Sequence, residues 1–376
     1  MTNIAIFGAG LIGSYVAGML ASSNAGGGAD DDSVKVTLLC RPSLANAVTA
    51  NNNMLQVTQH YTGSGKLVSG SVATRNIPAA SINILTDGLA GLKSRGIKPD
   101  FLIVTMKRIS VDTAIKEMND AGLNEQNKQK EGNNWFWTNT CIVMLQNGID
   151  PSKIIFEKLG SRLNVIDGMF PFNVANSNGN LAHFEQGTSG VLYVTETASG
   201  RILADILTRS GIETATSSDM RGIQYGKLLL NLNNAVCALS ATTLKNELAQ
   251  AQYRKVFALC MNEALAVLDA AKIQPHSFTV VPMQIISLVM SSPDFLFNSV
   301  SGLVVKTNDA ATSSMYEDLV AHRKTEIDFL QGHISVLGKQ FGVPTPVCDR
   351  IVELVKIAEK SNILVAHSGD EILKLD

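Results

Sequence analysis

The sequence predicts an α/β chain, an open strand-and-helix domain at the N-terminal end followed by an all-helical C-terminal domain. Three observations predict it. An apolar run, Asn3-Ile4-Ala5-Ile6-Phe7, passes directly into Gly8-Ala9-Gly10-Leu11-Ile12-Gly13 and then into a helical stretch, Ser14 to Ser22. Further short apolar runs at 34–40, 101–106 and 141–146 read as buried strands. From Asp219 onward the pattern changes to long helical periods with few strand signals, which places a domain boundary near 218: residues 1–218, then 219–376.

Strand, Gly-x-Gly-x-x-Gly and helix stand here in the order that a Rossmann-type dinucleotide-binding domain requires. Gly8 permits the tight turn, Gly10 lets backbone approach a pyrophosphate, and Gly13 lets helix pack on strand. The helix N-terminus attracts the phosphate charge, so Gly8, Ala9, Gly10, Leu11, Ile12 and Gly13 are candidate cofactor contacts. The next strand, Val34 to Cys40, ends at Arg41-Pro42-Ser43. An acidic residue there would bind the ribose hydroxyl of NAD. An arginine instead pairs with the 2′-phosphate of NADP, so the expected cofactor is NADPH/NADP+.

The connection at 23–33 is rich in Gly and Asp, has no packing pattern, and reads as a flexible insertion. Its aspartates belong to a solvated loop at the sheet edge away from the cofactor and form no metal site. Residues 53–75 alternate around Gly63-Ser64-Gly65, a predicted hairpin. The runs at 101–106 and 141–146 end at Lys107 and at Asn147-Gly148. Ligands of open α/β sheets sit outside the carboxyl ends of strands, which makes Lys107 and Asn147 candidate ligand contacts. The polar stretch from Asn124 to Asn134 reads as a loop. Strand-like pieces continue through 163–172, 190–196 and 212–217, with a helical segment at 201–210.

In the C-terminal part, Asp219 can cap a helix that contains Gly226-Lys227-Leu228-Leu229-Leu230-Asn231-Leu232-Asn233-Asn234. Offsets of four and seven put Lys227, Asn231 and Asn234 on one helical face, and the leucines between them point elsewhere. An ammonium and two amides on an apolar helix are costly to bury without polar partners, and a small substrate with a carbonyl is an economical partner. Helices follow at 244–272, 281–290, 313–341 and, after Gly342-Val343-Pro344, at 346–359. Ser313 or Ser314 is placed to cap the third of these, and Glu326 falls in its middle.

Composition bounds the rest. The chain has 376 residues, 45% hydrophobic and 17% charged, with a net charge of −2; these values fit a globular enzyme and give no reason to expect nucleic acid or an acidic membrane as partner. Five scattered cysteines with no Cys-x-x-Cys pair suit a reducing cytoplasm and argue against structural zinc, so no metal is expected. There is no signal-peptide pattern and no apolar segment long enough to span a bilayer. The oligomeric state is not legible here and is left open to a homodimer.

These residues resemble the ketopantoate reductase family (2-dehydropantoate 2-reductases) over nearly the whole chain. The resemblance rests on Gly8-x-Gly10-x-x-Gly13, Lys107, Gln146-Asn147-Gly148, Lys227 with Asn231 four later, and Ser313-Ser314-Met315 through Arg323-x-Thr325-Glu326-Ile327-Asp328. It implies a cytoplasmic NADPH enzyme that reduces 2-dehydropantoate to (R)-pantoate on the route to pantothenate and coenzyme A, with the active site in a cleft. It implies Lys227 as general acid, Asn147 near the nicotinamide and Lys107 near the reactive end of the cofactor. Asn231 and Ser314 would bind substrate, and Glu326 would contact the cofactor ribose or order Lys227. In a continuous helix, however, Ser314 and Glu326 stand roughly 18 Å apart, too far for one keto acid. Departures from the family pattern fall on the substrate side: Ala235 and Ala311 occupy positions where asparagine is frequent, and the nearest amide is Asn234. Two other readings stay open, a reductase of another branched 2-oxo acid and a non-catalytic NADP(H)-binding regulator.

Overall fold

The short apolar runs are strands because both of their faces are covered. In the N-terminal unit the strands are β1 (Thr2–Phe7), β2 (Val34–Leu39), β3 (Met54–Gln59), β4 (Ala73–Pro78), β5 (Asn83–Leu85), β6 (Phe101–Val104), β7 (Cys141–Leu145), β8 (Val165–Met169), β9 (Val174–Asn176), β10 (His183–Gln186), β11 (Leu192–Thr195) and β12 (Thr214–Ser217). Ile4, Ile6, Ile103 and Val143 face one hydrophobic cluster, while Ala5, Phe7, Leu102, Val104 and Ile142 face another. Burial on both sides is what turns a strand into a continuous apolar run. The computed structural model describes residues 1–23, 33–62, 73–132, 135–278, 282–297, 299 and 311–375.

The larger sheet has the order β12-β11-β8-β7-β6-β1-β2-β5. It is parallel from β5 to β8, and β11 joins antiparallel to β8, carrying β12 parallel to itself. The chain winds outward in both directions from β1, which pairs with β2 on one side and β6 on the other. This reversal is the switch point where parallel sheets leave a crevice at their carboxyl ends. The helices of this unit are α1 (Leu11–Ser23), α2 (Pro42–Ala50), α3 (Gly88–Ser94), α4 (Val111–Asp120), α5 (Glu125–Glu131), α6 (Pro151–Leu159) and α7 (Ala198–Arg209).

A second sheet, β4-β3-β10-β9, packs on the other side of α1. Sandwiched between two sheets, α1 is buried without a break from Gly13 to Ala21. Gly18 is required there, since a Cβ would lie 2.4 Å from Val57 Cγ1. The alternation at 53–75 is the antiparallel pair β3–β4, and its expected turn at Gly63-Ser64-Gly65 lies outside the described residues, as do residues 24–32 of the insertion. The parallel pairing of β3 with β10 adds a partner that the hairpin reading lacked. The loop expected at 124–134 is corrected: Glu125–Glu131 is the helix α5. It is capped by Asn124, whose side chain accepts from Asn127 N at 2.8 Å; residues 133–134 are outside the description.

The chain divides into two compact units, Met1–Gln146 with Asp150–Met220, and Asn147–Ile149 with Arg221–Asp376. Among the described residues, the named elements of the second are helices: α8 (Met220–Asn231, its first residue still grouped with the first unit), α9 (Asn233–Ser240), α10 (Leu244–Leu248), α11 (Ala251–Ala270), α12 (Met283–Met290), α13 (Ser314–Val320), α14 (Gln331–Phe341), α15 (Pro346–Ser361) and α16 (Gly369–Ile372). Leu228, Leu229 and Leu232 join Val256, Met261, Ile334 and Ile351 in one core around α11. Three expected helices are interrupted: 244–272 breaks between α10 and α11, the lysine helix breaks at Leu232, and 313–341 breaks between α13 and α14. Glu326 is therefore not mid-helix. Among the described residues, no helix is long and apolar enough to cross a membrane, and no cluster of His, Cys, Asp or Glu could hold a metal ion.

Gly13 measures how tightly α1 sits on β1. A Cβ there would lie 2.4 Å from both Gly8 O and Thr105 Oγ1. Gly13→Val should cost at least about 2 kcal/mol in urea unfolding; a variant as stable as the parent would contradict this packing.

Candidate active site

In the first unit the glycine loop lies at the carboxyl end of β1. Gly8 has φ +109°, and a Cβ there would meet Met106 Cγ at 2.4 Å, so both conformation and space exclude a side chain. Its carbonyl accepts from Thr105 Oγ1 at 2.5 Å, and Ala9 N donates to Leu39 O at 3.3 Å, which ties the loop to both neighbouring strand ends. A Cβ on Gly10 would meet nothing within 4 Å, and Gly10 and Leu11 are exposed. The loop thus offers open space beside the first N–H groups of a 13-residue helix, which lack intrahelical acceptors. That cradle fits a pyrophosphate.

Arg41 follows β2 at the N-cap position of α2. Its backbone is fixed by Leu44 N donating to its carbonyl at 3.1 Å, and its exposed side chain makes no capping bond. Lys107 is exposed three residues beyond β6, and its carbonyl accepts from Ser110 N at 2.8 Å. Gln146, buried at the end of β7, donates from Nε2 to Met106 O at 2.6 Å and so fixes the loop that carries Lys107. In the sequence Gln146 stands out only as part of Gln146-Asn147-Gly148; its burial marks it as a residue that holds this loop.

The second unit holds the other candidates. Lys227 lies on α8 and is half-buried, and burial pushes its ammonium down from 10.5 to about 8. Gly226 beside it has no room for a side chain, because a Cβ would lie 2.1 Å from His276 O. Asn231 ends α8 and Asn234 lies in the first turn of α9; both are half-buried. Asn147 and Glu326 are brought together across the sequence, Asn147 Nδ2 donating to Glu326 Oε2 at 3.3 Å.

The break between α13 and α14 removes the 18 Å objection. Arg323 turns back on α13, its N donating to Asp318 O at 2.8 Å and its Nε to Asp318 Oδ1 at 2.9 Å. Thr325 donates from N and Oγ1 to Glu359 Oε1, both at 2.7 Å, and Lys356 holds Asp328 at 2.5 Å. Glu326, between these anchors, heads a short 3-10 turn at Ile327–Phe329. At the other end, Ser313 is the cap of α13: its Oγ accepts from Tyr316 N at 3.1 Å and donates to Asn234 O at 2.8 Å. Ser314 is then exposed and not used as the cap. Just after the 3-10 turn, Gln331 Nε2 donates to Leu232 O at 2.7 Å. Ser313 and Gln331, at the starts of the two helices into which the expected straight rod divides, therefore both attach to residues 232–234.

The first unit matches the ketopantoate reductase (PanE/ApbA) family model over residues 4–197, and the second matches the model for the C-terminal part of the same family over 219–359. The 2-dehydropantoate 2-reductase of Lactococcus lactis subsp. lactis is 28% identical over 240 residues, 62% of this chain and 68% of its own length. That of Pyrococcus horikoshii is 24% identical over 95% of this chain and 97% of its own. Among solved structures, a PanE/ApbA family ketopantoate reductase from Ralstonia eutropha aligns with TM-score 0.69 at 22% identity, over 96% of this chain and 99% of its own. D-mandelate dehydrogenase with NADH and anilino(oxo)acetate aligns with the same TM-score at 23% identity and the same coverage. The first unit has the NAD(P)(H)-binding fold.

Competitive labelling of lysine amines across pH tests the environment of Lys227 without any substrate. The expected midpoint is about 8; a midpoint at the ordinary lysine value would show that the ammonium is solvated.

Proposed function

We propose, from the premise that the chain belongs to the ketopantoate reductase family, that this oxidoreductase catalyses NADPH-dependent reduction of 2-dehydropantoate to (R)-pantoate. Residues 1–218 serve as the NADP-binding domain and 219–376 as the helical catalytic domain. The observation that carries the reading is the attachment of Ser313, next to Ser314, and of Gln331, just after Glu326, to the same short segment as Asn234, beside Asn231 and Lys227. A polar set gathered on an otherwise apolar helix is what a small oxo acid needs.

The N–H groups at Gly8 to Gly13 would hold the cofactor's pyrophosphate, and Arg41 would pair with the 2′-phosphate of NADP. When bound, the reduced nicotinamide supplies the hydride that the keto carbon receives. Lys227 meets the negative charge that grows on the carbonyl oxygen and gives it the proton, so that ketone plus hydride plus proton makes the alcohol. A positioned acid of this kind contributes about 10²- to 10⁴-fold. Asn231 and Asn234 donate amide N–H groups to the substrate, and Ser314 holds its far end. Asn147 and Lys107 would serve as cofactor contacts. Glu326, bonded to Asn147, would order that residue or contact the ribose. An ammonium near 8 gives up its proton more readily than an ordinary lysine and is still mostly charged at neutral pH.

A second reading keeps the mechanism and changes the substrate to another branched 2-oxo acid. The buried Ala235 supports it, because it leaves Asn234 as the amide of α9 that is only half-buried.

NADPH oxidation across a panel of 2-oxo acids separates the readings. Turnover of 2-dehydropantoate is expected; turnover of others without it would leave the second reading, and no turnover at all would sink both. Reduction needs Lys227 charged and the reverse oxidation needs it neutral. The reduction rate should fall as pH rises through about 8, and the oxidation rate should rise over the same window. Lys227→Ala should lower kcat by about 10²-fold or more while NADPH affinity stays within a few-fold; equal losses would make the lysine structural. Arg41→Ala should narrow the preference for NADPH over NADH, and an unchanged ratio would remove its phosphate role.

A further inference from the structure

Three successive residues at the interruption between α8 and α9 are each held by a different element. Leu232 O accepts from Gln331 Nε2 at 2.7 Å, the donor standing at the start of α14. Asn233 Nδ2 donates to Glu247 Oε2 on α10 at 3.0 Å. Asn234 O accepts from Ser313 Oγ, the cap of α13, at 2.8 Å. Gln331 and Glu247 have no exposed surface, and Ser313 only 2%. We propose that these bonds form a three-point clamp that aims Lys227 and Asn231 on one side of the break, and Asn234 on the other, at one substrate. Gln331 is its principal positioning residue. The proposal rests on the reading of Lys227 as proton donor.

The physical case begins with cost. An amide taken wholly out of water loses its hydration, and an apolar side chain of similar size would fill the same core without that loss. What the amide adds is direction: a carbonyl held by a side-chain donor has its peptide plane fixed. Leu232 stands between the two helices with helical backbone (φ −57°, ψ −28°) and donates from N to Leu228 O at 3.0 Å, so the bond to its carbonyl holds the phase in which α9 continues α8. The same turn performs a second task. Phe329 N donates to Glu326 O at 2.9 Å and Leu330 N to Ile327 O at 3.2 Å, with Ile327 fully buried. The turn that presents Glu326 to Asn147 therefore also delivers Gln331 to Leu232. Misplacement of a catalytic group by about 1 Å can cost about 10²-fold in rate, so a positioning bond can matter far beyond its own strength.

The test compares Gln331→Met, which keeps size and loses the donor, with Ile334→Val, a core change on the same helix that leaves the clamp intact. Gln331→Met should lower kcat about ten-fold or more with KM for NADPH within about two-fold. It should also move the Lys227 labelling midpoint from about 8 toward the ordinary lysine value. Ile334→Val should keep both at parent values. Should Gln331→Met fail to fold, Ser313→Ala reads the second point of the clamp and should raise KM for the oxo acid more than it changes kcat. Gln331→Met matching Ile334→Val in kcat and midpoint overturns the proposal. So does, where Gln331→Met does not fold, Ser313→Ala with parent constants. If the parent turns over no 2-oxo acid, the functional reading fails, and the labelling midpoints still decide the clamp.

Discussion

The hydrogen bond from Gln331 to the carbonyl of Leu232 is the constraint on which the helical unit depends. A straight helix from Met220 to Ser240 and another from Ser314 to Phe341 would bury the same leucines and isoleucines. They would also carry Ser314 and Glu326 far apart. Two interruptions change that. The one at Leu232 is a single residue that keeps helical backbone, its N donating to Leu228 O at 3.0 Å, whereas the one between Val320 and Gln331 replaces ten residues of helix with irregular chain and a 3-10 turn. Backbone groups freed at such breaks must find partners: Arg323 N finds the Asp318 carbonyl, while Thr325 N and Leu232 O find side chains, those of Glu359 and Gln331. The polar residues of the Arg323-x-Thr325-Glu326-Ile327-Asp328 motif are thus mainly the means of ending one helix and starting the next. Glu326 is the member left to face Asn147.

Electrostatics runs against stability at the same place. A lysine whose folded value is lowered to about 8 binds its proton less tightly than in the unfolded chain, where the value is about 10.4. Below 8 the folded state bears the cost of a desolvated ammonium. The cost fades as pH rises from 8 toward the unfolded value, where both states are neutral. Glu247 behaves in the opposite sense: burial raises it to about 8, so it holds its proton at neutral pH and loses favour as pH rises from the unfolded carboxylate value through 8. Neither group helps the fold near neutrality. Both stand within the helices around residues 227–247, where a well-packed apolar core could have done without them.

Much of the architecture was legible because it is written in local pattern. The β1–glycine loop–α1 unit, the buried strands β2, β6 and β7, and the change to helices after Asp219 each carry a period or a turn signal within a short window. What was not legible depends on distant partners. The pairing of β3 with β10 joins His183 to Gln56. The bonds made to residues 232–234 come from side chains 99 and 79 residues away, Gln331 on Leu232 and Ser313 on Asn234. The helix α5 was read as loop because Glu-Gln-Asn-Lys-Gln-Lys-Glu has no apolar face, and only the Asn124 cap marks it. At the candidate site, Lys227 and Asn231 were visible as polar residues on an apolar helix. Gln331 carries the same signal at its own helix start, but the helical period of 313–341 hides that start inside one apparent rod. Asn147 was legible as a strand-end residue, but its membership in the helical unit and its bond to Glu326 were not.

In the proposed reaction Lys227 delivers the proton to a substrate carbonyl oxygen while Asn231 and Asn234 share that substrate. A crystal structure with NADP+ and a bound 2-oxo acid tests it most directly. Lys227 Nζ is expected within about 3 Å of the keto oxygen, with both amides on the same molecule. Lys227 turned away from the keto oxygen, with another donor in its place, would contradict it.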